Sequence, residues 1–217
     1  MMAQGENAQG VRLYQQGNFQ AALQSFQQAL QSDPNNADAY YNLAATYHRL
    51  GALHQTQADQ DQAESYYNQC LDHGPNHQAC YRGLAVLLVE EKRSEEAFRL
   101  LEGWADRSPT RPEPKIELAR LFEEFGDKAA AKAHLIEAVA IDPTNARALA
   151  ALGRIHEGLG EYQQALADYE RSLTNDRFQP TVVQRVAALQ AARRPRPSAV
   201  TGPPGTRTVN TSPTVLR

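Results

Sequence analysis

Small and large apolar residues recur along this chain at a fixed interval, with polar stretches between them. In residues 112–145, Ala119 stands twelve residues before Ala131, Leu135 four after it and Pro143 twelve after it. Moved 34 residues upstream, the same frame meets Ala85, Ala97, Leu101 and Pro109; moved downstream, it meets Gly153, Ala165 and Tyr169. A first copy reads Gly10, Ala22, Phe26, Ala29 and Pro34. The pattern predicts pairs of antiparallel helices. Small side chains at facing sites let two helix axes approach at the short end of the roughly 8–10 Å range, and the large residue one turn on fills the groove against the following unit. Gly17-Asn18 supplies the break between the two helices of the first unit, and Asp33-Pro34-Asn35-Asn36 ends the second. Such units bury their apolar faces on one another, so chain length does not set a domain count.

Five units follow, at about 3–36, 37–77, 78–111, 112–145 and 146–179. The second is longer: Ala22 to Ala63 and Pro34 to Pro75 are each 41 apart, seven more than the period. Seven residues are about two helical turns, so the insertion can extend a helix without rotating its buried face. It is placed in the first helix of the unit, over about Asp38–Gln57, with a polar loop at Gly51–Gln57 as the alternative; either way it projects at the edge where helices turn around. Ala22, Ala63, Ala97, Ala131 and Ala165 open the second helices, opposite Gly10, Ala44, Ala85, Ala119 and Gly153. Phe26, Tyr67, Leu101, Leu135 and Tyr169 are the large residues that follow. Trp104 breaks the pattern, standing where Ala29 and Ala138 stand in other units, which predicts a local rearrangement between units three and four. The solenoid of residues 1–176 then gives way to one more amphipathic helix at 180–194, with Val182, Val183, Val186 and Leu189 on its apolar side, as a cap over the last open face. Residues 195–217 are rich in Pro, Thr, Ser, Gly and Arg and are expected to be disordered.

A 34-residue period of small, small, large and proline resembles the tetratricopeptide repeat. That resemblance implies an all-α fold, a right-handed α-solenoid of five helix–turn–helix repeats with a C-terminal capping helix. It also implies a use. In this family the first helices of successive units line a concave groove that holds a peptide or a segment of a partner protein. The groove positions here are Asn7, Val11 and Tyr14; Tyr41, Asn42, Ala45 and His48; Arg82, Val86 and Glu90; Ile116, Arg120 and Glu123; Ala150, Arg154 and Glu157. The N-terminal half offers aromatics and amides, suited to an apolar or backbone-rich segment. The C-terminal half sets an arginine row beside a glutamate row. Those rows read either as intrahelical pairs, Arg120 with Glu123 or Glu124 and Arg154 with Glu157, or as a charged groove that selects a ligand by sign.

The family's more specific ligand sets do not carry over. Co-chaperone members clamp a terminal carboxylate with lysines, asparagines and an arginine; here Asn42 matches, but Val11 replaces an asparagine, Asn7 and Ala79 replace lysines and Gly83 replaces the arginine. The asparagine ladder of the O-linked N-acetylglucosamine transferase repeats is also missing, with Ala8, Glu117 and Ala151 around Asn42.

Composition changes the picture in one respect. With 41% hydrophobic and 22% charged residues the chain reads as an ordinary folded protein. No apolar run approaches the roughly 18–20 residues that span a bilayer, and Met1–Gly10 lacks a signal-peptide pattern, so the expectation is a cytoplasmic protein. Charge, however, is divided. From Arg177 onward there are seven arginines and no acid; with a whole-chain charge of −3, residues 1–176 carry −10. A basic tail beside an acidic body raises the idea of a tail that folds back through Arg193, Arg194 and Arg196 to regulate the groove. Nucleic acid and anionic membranes are opposed by the acidic body and by a tail without aromatics to stack on bases.

Chemistry finds little footing. Cys70, His73, His77 and Cys80 have the spacing of a zinc site, but Cys70 falls in the frame position of Ala29 and Ala138, and Cys80 in that of Ala39, Pro114 and Ala148. Both are expected to be small apolar fillers, with His73 and His77 pointing to solvent, and no metal or other cofactor is expected. His48 and His54 lie in unit two, His134 in unit four and His156 in unit five, Glu123-Glu124 reads as a solvated face, and no glycine-rich phosphate loop is present. The sequence therefore predicts a non-enzymatic adaptor for a protein or peptide partner, with no small-molecule substrate. The alternative is an accessory or assembly subunit of an envelope, secretion or enzyme complex with the tail as autoregulator.

Overall fold

The computed structural model describes residues 2–193, all-helical with connecting turns among these residues. The helices are α1 (Met2–Gln15), α2 (Phe19–Ser32), α3 (Ala37–His54), α4 (Gln57–His73), α5 (Gln78–Glu90), α6 (Ser94–Arg107), α7 (Glu113–Glu124), α8 (Lys128–Ile141), α9 (Ala146–Gly158), α10 (Tyr162–Asn175) and α11 (Pro180–Arg193). Each odd helix packs on the even helix after it, and each even helix packs on the odd helix of the next unit. In addition α1 touches α3, α3 touches α5 and α5 touches α7, so the first helices form a continuous inner layer. The result is an α-solenoid. The expectations for 195–217, and for the arginines proposed to fold back, lie outside the described residues.

The helix ends follow from local chemistry. Asn36, Asp127 and Asn145 cap α3, α8 and α9, each side chain accepting from the backbone N–H three residues on. Gly17, Gly126 and Gly160 end α1, α7 and α9 at φ of 79°, 81° and 80°, a left-handed turn that glycine makes without strain.

The small-residue columns are the core. Ala22, Ala63, Ala97, Ala131 and Ala165 are fully buried, as are Ala44 and Ala85. The large residues close on them. A Cβ added at Gly10 would stand 2.4 Å from the Phe26 ring, and one at Gly153 would stand 2.7 Å from Tyr169. Phe26 and Tyr169 thus cover a glycine of their own unit, whereas Tyr67 reaches forward, its ring 2.4 Å from the Cβ position of Gly83 in the following unit.

The seven-residue insertion is shared between both helices of unit two. α3 has 18 residues where α5 has 13, and α4 has 17 where α6 has 14. The connection is shortened to Gln55-Thr56, so the hairpin is longer at its turn end and no loose loop forms. Trp104 is accommodated by stacking on Tyr81, with centroids 4.1 Å apart and planes 5° apart, while its indole N–H donates to Asn76 Oδ1 at 3.0 Å. On α11, Val182 and Leu189 are buried against Ala165, Leu166 and Tyr169, while Val183 is exposed.

The cysteines correct the sequence reading. Cys70 and Cys80 are fully buried, as their frame positions require, but they are joined in a disulfide that staples the end of α4 to the start of α5. His77 does not point to solvent. It caps α5, with Nδ1 accepting from the Cys80 N–H at 3.3 Å and Nε2 2.9 Å from Asp38. His73 stacks on Tyr40 at 4.9 Å. The ligand atoms of Cys70, His77 and Cys80 lie within 4.8 Å of one another. Both sulfurs are bonded to each other, however, and the imidazole is committed to its cap.

Two outcomes test this packing. Ala131→Leu should lose about 1–3 kcal/mol to overpacking, against little change for exposed Ala129→Leu, read by urea denaturation. Reduction, or paired Cys70→Ala and Cys80→Ala substitution, should lower stability by about 2–3 kcal/mol for a bridge spanning ten residues. Two alkylatable thiols in the unreduced, unfolded protein would refute the bridge.

Candidate functional site: the inner wall

Side chains on the inner layer are tied from one unit to the next. Asn42 donates to Asn7 Oδ1 at 2.9 Å, and His48 Nε2 lies 2.8 Å from Glu90 while its Nδ1 lies 3.3 Å from the Tyr67 hydroxyl. Arg154 pairs with Glu123 on the preceding first helix, not with Glu157 on its own. Glu157 instead accepts from the Tyr169 hydroxyl at 2.9 Å and from Arg185 of α11 at 3.2 Å. Of the intrahelical pairs the spacing suggested, Arg120–Glu124 forms at 3.3 Å. The rows are therefore mainly rungs between helices. Burial and its hydrogen bond to Glu157 raise the Tyr169 hydroxyl pKa above its ordinary value.

The centre of this lattice is a residue outside the predicted groove set. Glu117 on α7 is fully buried and accepts from Arg82 (2.7 Å), Arg147 (2.6 Å), Arg120 (3.2 Å) and the Gln78 amide (3.0 Å). One carboxylate thus ties α5, α7 and α9 together. Burial alone would raise its pKa; the hydrogen bonds from Arg82 and Arg147 outweigh that and hold it at about 2. The same hydrogen bond raises Arg82 above its ordinary value. The signal is present in the frame, since Glu117 is the acid in a column filled elsewhere by the uncharged Ala8, Asn42, Gly83 and Ala151, and a buried acid without a partner would be costly.

Among the described residues, hollows open near each end of the inner wall. The N-terminal one, of about 260 Å³, is lined by Val11, Tyr14, Gln15, Phe26, Tyr41, Asn42 and Ala45. The C-terminal one, of about 290 Å³, has an apolar floor that includes Ile116, Leu135, Ala150 and Val182, and a rim of Arg120, Glu123, Arg147, Arg154 and Arg185. Of the groove residues read from the sequence, Val11, Tyr14, Tyr41, Asn42 and Ala45 line the first and Ile116, Arg120, Glu123, Ala150 and Arg154 line the second, while Asn7 and Glu157 line neither. Arg82, Glu90 and His48 serve as rungs between the hollows, and half-buried Val86 lines neither. Arg147, Arg185 and Val182 escape the sequence reading, because Arg147 lies in the first turn of α9 and the other two belong to the capping helix.

The buried His156–Asp168 pair, at 2.7 Å, ties α9 to α10, and the other ring nitrogen faces Glu161 at 3.5 Å. With a carboxylate at each nitrogen, the imidazole is a structural tie.

Removing the central acid tests its role. Glu117→Gln should cost about 3 kcal/mol at pH 7, because it leaves guanidinium groups without their buried partner. A carboxylate with a depressed folded-state pKa contributes stability that is present above its unfolded value, near 4.5, and is lost as pH falls toward about 2. The stability gap between wild type and variant should therefore shrink from pH 5 to pH 2.5 in chemical denaturation.

A TPR repeat sequence model matches residues 10–51, and a second tetratricopeptide repeat model matches 50–112 and 116–180. Human protein O-mannosyl-transferase TMTC3 is 28% identical over 176 residues, which are 77% of this chain and 19% of that protein, so the chain spans about a fifth of that relative. Among solved structures, the thermophilic TPR protein TTC0263 of Thermus thermophilus superposes with a TM-score of 0.62 at 24% identity, over 87% of this chain and 99% of the other. PilF of Pseudomonas aeruginosa superposes with a TM-score of 0.57 at 19% identity, over 88% and 84%. These likenesses speak to the fold alone. Together with the repeat models, which span most of the solenoid, they place this chain in the tetratricopeptide repeat family.

Proposed function

We propose that this protein is a non-enzymatic adaptor whose concave inner wall holds an extended segment of a partner protein. The observation that carries the reading is the pair of solvent-open hollows on the first helices, one aromatic and amide-lined, one with an apolar floor and a charged rim, joined by a wall of fixed rungs. An apolar floor with a few converging polar groups is the usual make-up of a recognition site. Preorganised rungs lower the ordering cost of binding.

A second reading is favoured by the cysteines. Buried disulfides persist in oxidising compartments and are rare in a reducing cytosol, so the bridge supports an accessory subunit working in an oxidising compartment over the cytoplasmic placement expected from the sequence.

Affinity purification with mass spectrometry tests the groove. Tyr41→Ala and Arg120→Glu should each reduce capture of the same partner at least tenfold, about 1.4 kcal/mol or more, while Asn68→Ala on the exposed face of α4 should not. A partner set unchanged by both groove variants would refute the reading.

A further inference from the structure

The C-terminal hollow carries a more specific inference, which rests on the groove reading above. Its lining holds four guanidinium groups, of Arg120, Arg147, Arg154 and Arg185, which together with Arg82 beside the hollow meet four carboxylates, of Glu117, Glu123, Glu124 and Glu157; of these acids Glu123 alone shares the lining. One of the four, Glu117, is fully buried and saturated by three of the arginines and Gln78, so its charge is consumed inside the wall. The remaining acids are partly or largely exposed and each is shared with an arginine at the rim. Among the described residues, Arg120 is left with Nη2 buried and without an acceptor. A buried donor without a partner is an energetic deficit that an added oxygen atom would relieve. A modest turn of this half-buried side chain over the hollow would exchange its long 3.3 Å contact with Glu124 for such an atom.

The floor beneath this rim is apolar. Ile116 and Leu135 lie at its base and Val182 of the last helix closes one side. Arg185 reaches the rim from α11, so the hollow is complete only where the solenoid ends and the helix after unit five covers it. The surplus of positive charge is local, set against a net −10 on residues 1–176. A field of that shape admits an acidic group here and repels it over the rest of the body.

We propose that this hollow takes the side-chain carboxylate of an aspartate or glutamate on the partner segment, beside an apolar side chain seated on Ile116 and Leu135. A guanidinium binds a carboxylate with two parallel hydrogen bonds, and Arg120, Arg147, Arg154 and Arg185 offer such forks from two sides of the hollow.

The test uses the full chain and a random library of twelve-residue peptides displayed with a tethered C-terminus, so that only side-chain carboxylates are available. The selected peptides should be enriched in Asp or Glu next to Leu, Ile, Val or Phe. Replacing that acid by its amide should weaken binding at least tenfold, and raising salt from 50 to 300 mM should weaken it several-fold. Arg154→Glu with Arg185→Glu should abolish the acidic enrichment; the amide peptides, measured on unaltered protein, keep the test valid if that variant folds poorly. Peptides selected without acidic preference but lost with Tyr41→Ala would overturn this inference and leave the groove reading standing. If no peptide is selected, or none is sensitive to any groove variant, both fall.

Discussion

Everything in this molecule depends on how closely two helices can approach where a small residue faces a small residue. Ala131 and its equivalents have no exposed surface, and the glycines opposite Phe26 and Tyr169 leave room for a ring where even one methyl group would collide. That contact sets the spacing within each unit and so the pitch of the stack. Stability in such an array is a sum over units and their neighbours, with no long-range core behind it. A fault in one column is therefore felt first at its own junction, and the disulfide lies at one such junction, between the long second unit and the third.

The columns are legible in the sequence because they depend only on periodicity. What stays hidden there depends on relations between columns. Cys70 and Cys80 each read correctly as buried positions, yet the columns they occupy meet across the turn between units, and two cysteines that meet become a bond. His77 reads as a turn residue because histidine is an uncommon cap, although it occupies the place of Asn36 and Asn145 and serves the same N–H group. The insertion cannot be divided between two helices from sequence, because helical period says how many residues keep a face aligned and nothing of where the chain turns back. Gln55, at φ 56°, makes that turn without the glycine that marks it in units one, four and five.

The candidate site is legible to a similar degree. Spacing by three or four along each first helix picks residues that line both hollows. It does not foresee that their charges pair across units, since side-chain reach between neighbouring helices is a three-dimensional quantity. Arg154 illustrates the point: Glu157 stands three residues away on its own helix, but Glu123 on the helix before is the acid it meets. Glu117 is the strongest case. A fully buried acid in a column that is uncharged in every other unit is a conflict at the level of one helix, resolved only when Arg82 and Arg147 arrive from the helices on either side.

The rungs also bear on what kind of ligand the wall can serve. Neighbouring first helices lie roughly 10 Å apart, and the two hollows are centred about three units from one another along the stack, a span of about 30 Å. An extended chain covers that in about nine residues at roughly 3.3 Å each. Under the groove reading proposed above, a wall whose rungs are already formed favours a ligand that engages both hollows at once, with an apolar or aromatic contact at one end and an acid at the other. Each contact alone is modest, and the stretch between them adds effective concentration rather than contact energy. On that reading selectivity resides in the spacing of two features along the partner, and the Cys70–Cys80 bridge, which joins α4 to α5, lies on the stretch of the stack between the two hollows.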